Sequence, residues 1–192
     1  MSLLTKTLTT PLPVSSAIVK VMGVLSFAIL TALGAYIAIP LPFTPVPITL
    51  QTLFVLLSGA ILGAIEGSLS QILYITIGAL GMPVYAGATG GFAHILGPTG
   101  GYLIGFVISS FIAGIMCKRS TRAWKVFFGF AIAELPIFLL GLTFLATFTH
   151  SNLIVTLKMG LLPFIPGEII KIGTAGSIMK TLRHLRKAVN LK

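Results

Sequence analysis

The chain has 192 residues, of which 56% are hydrophobic and only 8% charged, against roughly 25% charged residues in an average soluble domain. With a mean hydropathy of +1.07, this excludes a water-soluble fold and predicts a single integral membrane domain. The formal charge of +10 would fit a nucleic-acid partner in a soluble domain. Here the bases gather at segment ends, at Lys118, Arg119, Arg122 and Lys125 and from Lys180 to Lys192, the distribution that the positive-inside rule and anionic lipid produce, so no nucleic-acid partner is expected.

A hydrocarbon core about 30 Å thick takes roughly 20 apolar residues per helix, which limits the chain to about eight spans. The polar segment 1–14 carries Lys6 without a small-residue cleavage site, so the first apolar run, 15–39, is retained as a helix rather than removed as a leader. After the Pro-rich break 40–47 (PLPFTPVP) come two short helices, 48–64 and 67–81, readable as two spans or as a re-entrant hairpin. The irregular stretch 81–101 (GMPVYAGATGGFAHILGPTGG) leads into a helix at 99–117, the basic loop 118–125, a helix at 123–148, the break 161–168 (LLPFIPGE) and a last helix at 166–183, with a peripheral basic tail at 184–192. Six spans with both termini cytoplasmic place both basic clusters inside and leave Lys158 in an outer loop. Five spans would put one cluster outside, against the rule.

This topology brings the three Pro- and Gly-rich segments to the outer face, where they read as ordinary turns or as the walls and lid of a site. Gly59, Gly63 and Gly67, Gly101 and Gly105, and Ala28 and Ala32 recur four residues apart, the spacing that lets helix backbones approach closely. Cys117 is alone, so neither an intrachain disulfide nor a thiol pair for a metal is available, and His94, His150 and His184 read as loop or surface residues.

The three acids are Glu66, Glu134 and Glu168, each costly inside a membrane. Glu66 reads as a solvated cap at the turn between the second and third helices. Glu134, just before Pro136, either pairs inside the bundle or marks a kink. Pro166-Gly167-Glu168 reads as a helix start, with proline in the first turn and an acid near the positive end of the dipole. Glu168 and Lys171 then share a face, either as a self-neutralising ion pair or as a pair that faces a cavity. No GxxxxGK[ST], HExxH or GxSxG motif occurs, and the chain contains no Asp, so catalysis finds no support and no cofactor is expected.

Four ordered segments carry a resemblance: 42–52 (PFTPVPITLQT), 81–87 (GMPVYAG), 96–103 (LGPTGGYL) and 164–171 (FIPGEIIK). Together they resemble the signature segments of BioY, the biotin-binding S component of energy-coupling-factor transporters, over about residues 15–183. The resemblance implies a six-helix membrane bundle of S-component type in the cell membrane, with biotin bound near its outer face and uptake driven by a partner membrane coupling protein and two ATPase subunits. It further implies that Phe43, Thr44, Tyr85, Gly87 and Tyr102 help to form the slot, and that Glu168, standing where the family usually has Asp, acts with Lys171 as polar partner. Thr89 or backbone groups replace an amide that some relatives place after the third helix. It also implies a partner-docking role for Ala28 and Ala32 on the first helix, whose alternative is packing inside the bundle. The alternative functions are an S component for another small vitamin and a membrane scaffold subunit that binds no small molecule.

Overall fold

The computed structural model describes residues 15–117 and 122–190. The expected segment 1–14 and the Lys118–Arg119 start of the basic loop lie outside these residues. In chain order the elements are α1 (Ser16–Tyr36), β1 (Ala38–Leu41), β2 (Thr44–Thr49), α2 (Gln51–Leu62), α3 (Ala64–Ala79), α4 (Ala93–Leu96), α5 (Gly100–Cys117), α6 (Ala123–Thr149), α7 (Leu153–Gly160) and α8 (Ile165–Asn190). Each of the six expected helical segments is helical. The last runs on to Asn190 instead of ending at 183, because Lys, Arg, Leu and Ala all favour helix and nothing there breaks it.

Among the described residues, α1, α5 and α6 are each long and apolar enough to cross a membrane, and α7 with α8, bent by 48° at their junction, adds a fourth candidate. With 12 residues, α2 is only about 18 Å long, shorter than a hydrocarbon core. Gly63, at φ 107°, turns the chain sharply from α2 into α3, a conformation that glycine adopts without the penalty a Cβ brings. Glu66 sits in the first turn of α3 and pairs with Lys20 of α1 at 2.8 Å, so the expected solvated cap also ties two helices together.

The segment 40–47, read from sequence as a break, is instead most of an antiparallel hairpin. Ala38 lies opposite Thr49, Ile39 opposite Ile48 and Leu41 opposite Thr44, with an irregularity between Ile39 and Leu41. Thr44, Val46 and Ile48 alternate as a strand should, but Pro40, Pro45 and Pro47 donate no ladder hydrogen bonds and conceal the strand signal. The hairpin is clasped at its base, where the Leu50 amide donates to the carbonyls of both Gly34 and Ile37.

Small residues set how closely the helices pack. A Cβ on Gly59 of α2 would run into the Ser110 carbonyl and the Gly114 amide of α5, and one on Gly105 of α5 would meet the backbone of α6 at Ile137. Ala28 is buried in the apolar cluster that also holds Val55 and Tyr74, and Ala32 packs on the same cluster. The alanine stripe of α1 therefore faces into the bundle in this structure. Away from the alanines α1 exposes Val19, Met22 and Leu33, as lipid contact requires. Gly59→Val is expected to lower stability by about 1–3 kcal/mol through overpacking against immovable backbone. Gly173→Ala, whose added methyl meets nothing within 4 Å, is the control. Thermal unfolding in detergent should separate the two variants, and equal melting temperatures would refute the packing account.

Candidate ligand-binding site

The hairpin, the segment 85–99 and the start of α8 meet around a cavity of about 780 Å³, within the roughly 300–1,000 Å³ of small-molecule sites. All three irregular segments singled out in the sequence thus border one space. Leu41, Thr44 and Val46 line it from the hairpin, Tyr85 to Thr89 and His94 from the long loop, and Phe164 and Glu168 from the last helix and the turn before it. Tyr74, Tyr102 and Phe138 complete an aromatic wall.

Each tyrosine of that wall is fixed by its hydroxyl. Tyr85 donates to the Ile75 carbonyl at 2.7 Å and Tyr102 to the Gly160 carbonyl at 2.9 Å. Burial pushes the Tyr85 phenol above its ordinary pKa, which keeps that proton in place. The Tyr85 ring fits because Gly78 has no side chain, and the Tyr102 ring because Gly141 has none. A tight turn joins Tyr85 to Thr89, the Tyr85 amide donating to the Thr89 carbonyl at 2.9 Å. Gly87 and Ala88 sit in it at φ 76° and 55°. The Thr89 hydroxyl donates to the Ala86 carbonyl at 3.0 Å, so toward the cavity it can accept but not donate.

The polar side of the cavity is a connected set. Thr49 donates to the Gln51 amide oxygen at 3.1 Å, the Gln51 amide nitrogen to Tyr74 at 2.6 Å, and Tyr74 to the Val84 carbonyl at 3.2 Å. Beside it, Glu168 accepts from Lys171 at 2.6 Å on one oxygen and from Thr52 at 2.8 Å on the other. Lys171 also donates to the Thr52 hydroxyl and to the Thr49 carbonyl, both at 2.8 Å. An ammonium has three hydrogens, and all three are used. Glu168 and Lys171 are both buried, at 5% and 6% exposure. The pair is thus an ion pair, as one sequence reading has it, and its acid also reaches the cavity, as the other has it. Each oxygen of Glu168 keeps a lone pair for a further donor.

Of the residues named from sequence, Thr44, Tyr85, Gly87, Thr89, Tyr102 and Glu168 line the cavity, whereas Lys171 stands behind Glu168 and Phe43 sits exposed on the hairpin turn between the lining residues Leu41 and Thr44. His94, read as a loop or surface residue, lies in the cavity wall edge-on to Tyr85. Gln51, Thr52 and Tyr74 received no role from sequence. Two hydrogen-bonding side chains opening an otherwise apolar helix were the available signal.

The BioY family model matches residues 6–188. The chain is 44% identical over 157 residues to the probable biotin transporter BioY of Pyrococcus horikoshii, covering 82% of this chain and 91% of that protein. It is 38% identical over 160 residues to the biotin transporter BioY of Thermotoga maritima, covering 83% and 92%. Its fold is similar to the crystal structure of the S-component for biotin from an ECF-type ABC transporter, with a TM-score of 0.82 and 25% identity over 91% of this chain and 95% of that one.

Because Glu168 is buried with Lys171 as its counter-charge, Lys171→Met is expected to lower ligand-free stability by about 3–5 kcal/mol, the cost of stranding one member of a buried pair. Adding Glu168→Gln to the same chain should recover most of the loss, since no charge is then left unpaired. Thermal unfolding of the single and double variants tests this, and a single variant as stable as the parent would mean that the pair does not support the fold.

Proposed function

The chain belongs to the BioY family, and we propose that it binds biotin in the cavity beneath the hairpin, as the substrate-specific subunit of an ATP-driven uptake system. It is a multi-pass membrane protein of a transporter family and not an enzyme. The observation that carries the site assignment is the Glu168 carboxylate, held by Lys171 and Thr52 at the edge of a cavity walled by Tyr74, Tyr85, Tyr102 and Phe138.

Biotin presents a cyclic urea with two N–H donors, an apolar thioether ring and an anionic valerate chain. Glu168 supplies acceptors for N–H groups, the aromatic wall supplies an apolar slot, and Thr44, Gly87 and Thr89 border the remainder. Phe43, on the turn beside Thr44, adds an apolar surface next to the cavity. In this reading the bundle crosses the cell membrane six times with both termini cytoplasmic, so that the cavity faces outward. The basic residues support that orientation: Arg122, Lys125 and Lys180 lie toward the ends of helices away from the hairpin and the long loop, as the positive-inside rule requires.

Binding alone cannot drive accumulation, and the chain carries no phosphate-binding loop. Uptake in this reading therefore depends on a membrane coupling protein and two ATPase subunits. Isothermal titration of detergent-purified protein should show biotin binding, with Glu168→Gln weakening it about tenfold or more, because a hydrogen bond to a charged group is worth roughly 1.5–3 kcal/mol and 1.4 kcal/mol is a factor of ten. No heat of binding with biotin, or an unchanged affinity in the variant, would defeat the proposal or its site respectively.

A further inference from the structure

The function just described leaves Glu134 of α6 unused. It is 5% exposed, and among the described residues its Oε1 has no hydrogen-bond partner. Its carboxyl lies in hydrogen-bonding contact with that of Glu168, and Glu168 and Lys171, both on α8, are the charged groups that act on it. The other elements packed on α6 bring titratable groups that are committed elsewhere: Tyr102 of α5 donates to Gly160, Cys117 lies against the Val126 carbonyl, and Lys158 of α7 is exposed.

Hydrogen counting decides what such a contact can be. Two carboxylates are both acceptors, so they repel when they touch in a dry interior unless one carries a proton. Both oxygens of Glu168 already accept, one from Lys171 and one from Thr52, which marks Glu168 as the ionised partner. All three hydrogens of Lys171 are used, none of them on Glu134. The unpartnered Oε1 also fits a neutral acid, because a buried carbonyl oxygen without a donor costs far less than a bare carboxylate oxygen.

We propose that Glu134 is a positioning residue for the ligand site, a neutral carboxylic acid whose proton is donated to Glu168 and fixes the direction in which Glu168 presents its remaining lone pair to the cavity. The buried set of Glu134, Glu168 and Lys171 then carries no net charge. A ligand that brings N–H groups to Glu168 changes the acceptor of Glu134's proton and must perturb that bond. This inference rests on the assignment of biotin to the cavity.

Infrared spectroscopy of the full chain in detergent at neutral pH tests it, since with three acidic side chains in the sequence the C=O stretch of a protonated carboxylic acid can be traced to its owner. The ligand-free protein should show one such band, missing from Glu134→Gln, and it should shift when biotin labelled isotopically at both its carbonyl carbons is added to saturation. Biotin affinity should fall about tenfold in Glu134→Leu but less than about threefold in Glu134→Gln, which keeps a neutral donor. Absence of the band, or its persistence in Glu134→Gln, would overturn the proton assignment. A band that saturating biotin leaves unmoved, or equal affinity in the Leu and Gln variants, would overturn the positioning role. If Glu134→Gln does not fold, the parent protein carries the test, because the remaining acid, Glu66, is ion-paired with Lys20. Failure of biotin to bind in titration would strike the functional reading while leaving the ligand-free band in place.

Discussion

In a chain that is largely apolar, the bond between Glu168 and Lys171 sets the position of everything around the cavity. A buried ion is tolerated only when its whole hydrogen-bonding capacity is met, and here Lys171 meets its own by reaching across to α2 and to the end of the hairpin, through Thr52 and the Thr49 carbonyl. The first turn of α8 is thereby tied to the junction between β2 and α2. Moving α8 would break three charge-assisted bonds at once, so the floor of the cavity is stiff before any ligand arrives, and that stiffness spares a ligand the cost of ordering the site.

The walls are held on a different principle. Tyr85 and Tyr102 are fixed at both ends, each hydroxyl donating to a backbone carbonyl while its ring lies flush against a glycine on the neighbouring helix. Aromatic rings supply apolar surface with few rotatable bonds, and a hydroxyl with a committed proton has none to donate to a ligand's acceptors. The strongest polar groups of the cavity are concentrated on one side, at Glu168, Thr52, Gln51 and Tyr74, and the remainder is mostly aliphatic and aromatic, with Thr44, Thr89 and His94 among it. A ligand with a compact hydrogen-bonding head on an apolar body fits that division.

Membrane burial reverses the usual arrangement of the outside. The face of α1 opposite the alanines exposes large aliphatic side chains, and the polar contacts that remain in the interior are short and paired, such as Ser58 with Ser110 at 2.8 Å and Gln71 with Ser58 at 3.1 Å. Small and hydroxylic residues at helix contacts are how bundles cohere where lipid removes the hydrophobic driving force between helices. Gly59 and Gly105 serve that purpose at two separate contacts of α5.

The sequence by itself determined the class of molecule, the course of the helices and the segments that border the cavity. Hydropathy, breakers and charge are local properties, and a membrane constrains them so strongly that α1, α5 and α6 could be read within a few residues. It also determined that Glu168 opens the last helix with Lys171 on its face, because i, i+3 spacing is fixed by helix geometry. Only the tertiary structure decided what those residues touch. The hairpin was hidden because prolines silence the strand signal, and α7 because eight residues are too few to register as a span. His94 entered the cavity wall and Ala28 turned into the bundle for reasons that lie in the packing of distant segments. Glu134 and Glu168 are 34 positions apart in the numbering, and no periodicity relates two helices, so their contact, and the count of hydrogens it imposes, exists only once α6 and α8 are packed together.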